Sequence, residues 1–189
     1  MSEAAFGVLG STIKLFTGGY YDVKNPRAED VRIDDIAHVL SNICRFGGHI
    51  PRYYSVAEHS IECYRKACLE CQPWDVRRAC LLHDAAEAYI GDVVKPLKVL
   101  LDPIYGPIED ANELAIATAF DVDFASTKDQ WKRIDRELLI AERYAIFGND
   151  GDKWTDEDQV QPYRFTPNFY SPAQARDVFR ECFDVLESR

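Results

Sequence analysis

The feature that most constrains this chain is a polar pair set inside an apolar helical run, Ala79-Cys80-Leu81-Leu82-His83-Asp84-Ala85-Ala86. The flanking residues read as helix interior, so the imidazole and the carboxylate are expected to be buried with them. Burying two adjacent polar side chains costs several kcal/mol unless each gains a strong partner. Two arrangements meet that demand. One is a hydrogen-bonded His–Asp pair inside a core; the other is a divalent metal held by imidazole nitrogen and carboxylate oxygen.

The rest of the chain supplies helices to surround that pair. Ile33, Ile36, Ala37, Leu40, Ile43 and Cys44 recur at the spacing of one buried helical stripe, which Gly47-Gly48 ends. Ser55-Val56-Ala57-Glu58 has the form of a capping box and opens a helix running to about Cys71, with Val56, His59, Cys63 and Ala67 facing inward. A third helix is expected from Trp74-Asp75 through His83 and Asp84 to Gly91. Asp102-Pro103 reads as the start of another, carried through Ala119. Thr127-Lys128-Asp129-Gln130 reads as a second capping box, leading a long helix to Gly148 with Trp131, Ile134, Leu138, Ala141 and Ala145 inward. The segment from Asn149 to Tyr170 reads as a polar surface loop. Ser171-Pro172-Ala173-Gln174 then starts a last helix with Val178, Phe179, Cys182, Phe183 and Leu186 inward. Ahead of all these, Thr12–Phe16 and Tyr20–Val23 flank Thr17-Gly18-Gly19, a hairpin turn signal. The expected fold class is therefore all-α: a globular helical bundle with a small N-terminal β-hairpin.

Composition narrows the function classes. The 189 residues are 47% hydrophobic and 29% charged, the balance of an ordinary globular domain. No apolar stretch is long enough to span a bilayer, and Met1-Ser2-Glu3-Ala4-Ala5 lacks the form of a secretory signal, so a cytoplasmic protein without a membrane role is expected. In that compartment the six cysteines are read as reduced thiols rather than disulfides, five of them inside helical patterns where a small thiol packs well, and Cys68-Leu69-Glu70-Cys71 has no second pair at zinc-ribbon spacing. The formal net charge of −10 repels a polyphosphate backbone and argues against nucleic-acid binding. A small phosphorylated substrate stays compatible with that charge where a metal or a cation cluster reverses the local field.

Four histidines occur, at positions 38, 49, 59 and 83. His59 falls on the inward stripe of the second helix, and Asp135 lies among Trp131, Ile134 and Leu138. Three helices thus each turn metal-capable side chains inward, and a bundle core is where helical proteins build such sites. Glu87 follows His83 by one turn, and Asp92 follows Gly91. Taken alone, Glu87 reads as a solvated helix carboxylate, the usual fate of glutamate, and Arg45 as a cation offsetting a helix dipole. His38 reads as structural or partly exposed, and Asp150, Asp152, Asp156, Glu157 and Asp158 as solvated loop acids.

The order His59, His83-Asp84, Asp135, with Val56-Ala57-Glu58-His59-Ser60 and the run from His83 through Glu87, Gly91-Asp92, Pro96 and Lys98, resembles the HD-domain metal-dependent phosphohydrolase superfamily. More narrowly it resembles bacterial HD-type 5′-deoxynucleotidases and small dATP triphosphohydrolases. The matching segments span about positions 33 to 147. The resemblance implies one domain over 1–189: a hairpin extension over 1–30, a metal-binding core over 33–147, and a loop and C-terminal helix over 148–189. It assigns His59, His83, Asp84 and Asp135 to one divalent transition metal (Mn, Co, Zn or Fe), since no histidine follows His83 to build a second site. It places Glu87 and Asp92 beside the phosphate as catalytic carboxylates, and Arg45, Phe46 and Lys98 on the substrate, with His49 a secondary contact. It implies hydrolysis of a (deoxy)nucleotide at the 5′-linked phosphate, with mono- and triphosphate both open. Its alternatives are a cyclic-nucleotide phosphodiesterase and a non-catalytic nucleotide-sensing module. Many such proteins are homo-oligomers, which sets the expectation for self-association.

Overall fold

The computed structural model describes residues 10–148, 154, 160 and 163–188. Strands β1 (Thr12–Lys14) and β2 (Tyr20–Asp22) pair antiparallel, with Ile13 opposite Tyr21. Gly18 and Gly19 both take φ of +90°, the left-handed backbone that glycine reaches without steric cost, and the turn closes through the Leu15 carbonyl and amide. The hairpin is anchored by Tyr21, which is fully buried, stacks on Tyr89 at 3.9 Å and donates its hydroxyl to Asn112 at 2.8 Å.

The remaining elements are helical: α1 (Ile33–Asn42), α2 (Val56–Leu69), α3 (Trp74–Leu82), α4 (Glu87–Ile90), α5 (Lys95–Leu101), α6 (Tyr105–Ala119), α7 (Lys128–Phe147) and α8 (Pro172–Glu187). This is an all-α bundle with a small N-terminal hairpin. Helix α2 lies at its centre, packed against α1, α3, α7 and α8. It is therefore buried on nearly every side from Val56 to Cys63, polar residues included. Helix α8 closes the bundle with Ala175, Phe179, Phe183 and Leu186 buried. Each of the three larger side chains contributes about 1.5–3 kcal/mol by leaving water. Its N-terminus carries the reciprocal Ser171–Gln174 capping box. No helix of the described residues is long and apolar enough to cross a membrane.

Several elements depart from the sequence reading, each for a local reason. The third helix does not run unbroken to Gly91. After Leu82 the backbone bonds tighten to i→i+3 (Ala85 to Leu82, Glu87 to Asp84, Ala88 to Ala85), a 3₁₀-like stretch that carries His83 and Asp84. The sequence pattern carries no sign of α5, because seven residues are too few to show a stripe, and the helix buries none of its side chains fully. Asp102-Pro103 joins α5 to α6 through a cis peptide bond instead of opening a helix. Thr127 does not cap α7; its hydroxyl donates back to the Asp123 carbonyl at 2.7 Å. Ala145 faces solvent, whereas Ile134, Leu138 and Ala141 are buried as expected.

Ser55 does accept the Glu58 amide, but the Glu58 carboxylate turns away from it. It accepts the backbone amides of Asn168, Phe169 and Tyr170 at 2.8, 2.8 and 2.9 Å. Residues 163–170 form the expected loop, half-buried or exposed along its length, and its last three residues are tied to the central helix through Glu58. The acidic residues Asp150, Asp152, Asp156, Glu157 and Asp158 lie outside the described residues.

Candidate metal centre

Helix α2 brings His59 inward, the tightened stretch after α3 brings His83 and Asp84, and α7 brings Asp135. The two imidazole Nε2 atoms lie 3.2 Å apart. Asp135 Oδ1 is 3.0 Å from His59 Nε2 and 3.7 Å from His83 Nε2. Asp84 Oδ2 is 3.4 Å from His83 Nε2 and 3.7 Å from His59 Nε2. His59, His83 and Asp135 come together with Cys63, whereas Asp84 approaches the two imidazoles from outside that group.

The opposite nitrogen of each ring is already engaged. His83 Nδ1 lies 2.9 Å from the Cys80 carbonyl, an acceptor that fixes the proton on Nδ1. His59 Nδ1 lies 2.7 Å from Glu142 Oε1, inside a fully buried pair. With Nδ1 held as donor, each Nε2 is the atom left to face the cluster, which is how metal-bound histidines are oriented by carboxylates and carbonyls behind them. Tyr54 donates to the same Glu142 oxygen at 2.8 Å, and Arg45 Nη2 is 3.2 Å from the other.

Electrostatics point the same way. Burial by itself would raise the Asp135 carboxyl, yet the two imidazoles hold it well below the usual carboxylate range. Burial and Arg45 would lower His59, but Cys63, Glu142 and Asp135 hold it well above the ordinary imidazole value. The field of these carboxylates favours positive charge where the Nε2 atoms meet, as protons or as a divalent ion. Two imidazoles and carboxylate oxygen form a donor set that suits such an ion. The cluster His59, Cys63, His83 and Asp135 has one donor atom from each residue within 4.8 Å of every other. The described residues therefore include a group able to hold a metal.

Arg45 does not end α1 as the sequence reading placed it. Helix α1 stops at Asn42, and a bridge between Cys44 and Ser55 fixes the crossing strand. The Arg45 amide bonds the Tyr54 carbonyl at 2.9 Å, and the guanidinium enters the site, with Nη1 3.6 Å from Asp84 Oδ2. Arg45 Nε is buried with no hydrogen-bond partner among the described residues. Phe46, in a left-handed conformation at φ 56°, packs edge-on to Phe147 at 5.3 Å and to Trp154 at 6.0 Å. His49 stands exposed beyond the Gly47-Gly48 turn, and His38 stacks on Phe16 at 3.7 Å, the structural part expected of it.

Glu87 opens α4, and Gly91, at φ +80°, turns the chain so that Asp92 returns toward the site. Burial, then the nearby Asp84 and Asp92 charges, push the Glu87 carboxyl up to about 10. Its Oε2 is buried without a hydrogen-bond partner among the described residues. Burial also raises Asp92, against the pull of Arg45. Lys98, on α5, ion-pairs with Glu109 at 2.5 Å while its charge still bears on Glu87 and Asp92.

Sequence reasoning missed Glu142. Its signal was the seven-residue spacing from Asp135, two turns along the same face of α7.

The chain is 32% identical over 179 residues to the "Uncharacterized protein YfdR" of Escherichia coli K12, a match covering 93% of this chain and 96% of that protein. It belongs to the YfdR family. It is also 34% identical over 113 residues to the "Uncharacterized protein RCAP_rcc00048" of Rhodobacter capsulatus, over 57% of each chain. No family model matches. The match to YfdR runs over nearly all of both chains, so it spans the bundle as a whole rather than one segment of the site.

Proposed function

We propose that this YfdR-family protein is a metal-dependent phosphohydrolase of the HD-domain type, cleaving a (deoxy)nucleotide at its 5′-linked phosphate. The observation that carries the reading is the pair of Nε2 atoms 3.2 Å apart, each ring held from behind through Nδ1, with Asp84 and Asp135 beside them. The four ligands would hold one divalent transition metal (Mn, Co, Zn or Fe). Such an ion supplies a Lewis acid and a bound water of lowered pKa.

The protein's own groups supply the rest. Arg45 presents a nearly buried guanidinium beside Asp84 and Glu142, from which an N–H group would turn to a phosphoryl oxygen. Lys98 adds a second cation, so that a phosphate is met by positive charge on a chain of net charge −10. Glu87, with its pKa raised, keeps its proton near neutral pH and is suited to pass it from Oε2 to the departing 5′-oxygen. Asp92 orients the attacking water from the other carboxylate position. Phe46 offers an aromatic edge to the sugar or base. A monophosphate would yield nucleoside and phosphate, and a triphosphate would yield nucleoside and triphosphate.

The test is turnover of dAMP and dATP side by side by protein loaded with Mn, Co or Zn. Metal-dependent release of phosphate or of triphosphate is expected, and release of neither with any of the three metals ends the hydrolase reading. His83→Ala should abolish release while leaving the helical circular dichroism intact; an active variant would remove His83 from the site.

A further inference from the structure

Cys63 lies one turn after His59 on α2, fully buried, and was assigned to helix packing by the sequence pattern. Its Sγ lies 3.6 Å from His59 Nε2, the nitrogen that faces the centre. It is also within 4.8 Å of the His83 and Asp135 donor atoms. Zinc–nitrogen and zinc–sulfur bonds of about 2.0–2.1 and 2.3 Å, set tetrahedrally, give nitrogen–nitrogen edges of about 3.3–3.4 Å and nitrogen–sulfur edges of about 3.5–3.6 Å. The corresponding separations here are 3.2 Å between the imidazoles and 3.6 Å from sulfur to His59. Asp84, by contrast, shares its carboxylate with Arg45, 3.6 Å away.

We propose that Cys63 is a protein ligand of this centre, joining His59, His83 and Asp135, and that it biases the site toward a thiophilic divalent ion such as zinc over manganese. The inference rests on the metal-site reading above and revises it in two respects, with Cys63 taking the place of Asp84 among the ligands and the ion narrowed to a thiophilic one. Thiolate ligands select zinc and cobalt, whereas oxygen-rich sets accept manganese and magnesium. On binding, the sulfur–hydrogen bond is exchanged for a sulfur–metal bond and one proton leaves to solvent. A buried thiol has room to do this because its neighbour along α2 is already a ligand, so no backbone movement is needed to bring the sulfur in.

Cobalt(II) is the probe, titrated into the full-length metal-free protein and followed by absorption and by bound-metal content. The expected result is one cobalt per chain with a near-ultraviolet thiolate-to-cobalt charge-transfer band. That band should vanish in Cys63→Ser and Cys63→Ala and persist in Asp84→Asn. The preference for zinc over manganese, measured by competition, should fall at least tenfold in Cys63→Ser. Stoichiometric cobalt uptake without the band in the wild-type protein overturns the role of Cys63 and leaves the histidine–carboxylate site standing. Absence of any cobalt uptake overturns the metal site itself.

Discussion

His59 Nδ1 and Glu142 Oε1 meet at 2.7 Å across 83 positions of sequence, both side chains fully buried. A lone buried carboxylate is costly, and here burial is outweighed by Arg45, His59 and Tyr54, which hold Glu142 below its ordinary pKa. Its task is to aim the imidazole. Removing such a group behind a metal-bound histidine typically costs about 10–100-fold in metal affinity. Glu142→Gln is therefore expected to weaken zinc or cobalt binding by that factor in calorimetric titration, and to lower stability by about 3–5 kcal/mol as Arg45 loses a buried partner. Unchanged metal affinity would show that the pair is purely structural.

Glu58 makes a different kind of junction. Its buried carboxylate accepts three consecutive backbone amides, from Asn168, Phe169 and Tyr170, and so ties the segment before α8 to the central helix. Hydrogen bonds to an ionised group are worth about 1.5–3 kcal/mol each before losses elsewhere. Glu58→Ala strands those three amides and should destabilise the fold by about 2–4 kcal/mol, with faster hydrogen exchange at 168–170 as its local signature. A variant as stable as the wild type, with unaltered exchange there, would contradict the anchoring role.

These two glutamates mark where the sequence stopped being legible. The stripes of α1, α7 and α8 are readable because each buries one face at helical spacing; α2 shows the same spacing although it is buried on nearly every side, so His59 and Asp135 read as inward, and His83 and Asp84 do so from the apolar run around them. Glu142 was not, because Arg136, Glu137, Glu142 and Arg143 look like the alternating charges of a solvated face. In the bundle Glu142 is fully buried, paired with residues of α2 and of the Arg45 turn that no local pattern reveals. Glu58 was legible as a cap because its amide is bonded locally. Its carboxylate was not, since the three partners lie more than 100 positions away. The break after Leu82 hides for a related reason: an i→i+3 stretch keeps helical dihedrals and an apolar composition, and differs only in which carbonyl each amide finds.

Glu87 should trade stability for function. Its carboxyl is lifted to about 10 by burial and by Asp84 and Asp92, against an unfolded value near 4.5. Between those two values the folded protein binds a proton that the unfolded chain does not. Stability of the metal-free protein therefore falls as pH rises from about 4.5 to about 10. Glu87→Gln imitates the protonated form without that linkage. It is expected to raise the melting temperature at pH 8 and flatten its pH dependence, while turnover of nucleotide drops by about 10²–10⁴-fold, the usual worth of a positioned proton donor. A melting temperature that falls in the variant would contradict the raised pKa, and retained turnover would remove Glu87 from the chemistry.

At the far end of α2, Glu70 carries the opposite sign. Arg133 holds it at 2.5 Å, and Arg133 first, then Lys66 against the effect of burial, lower its pKa to about 2. A depressed carboxylate contributes stability above its unfolded pKa near 4.5 and loses it as pH falls toward about 2. Because Glu70 and Arg133 are both partly exposed, solvent screening keeps the contribution below about 1 kcal/mol. Glu70→Gln should therefore match the wild-type melting temperature at pH 2, fall slightly below it at pH 6, and lose that difference in high salt. Equal melting temperatures at pH 6 in low salt would show that the pair adds nothing to the fold, and that α2 and α7 are held together there by Cys63, Ala67, Ile134 and Leu138 and by the Lys66–Glu137 ion pair at 2.8 Å.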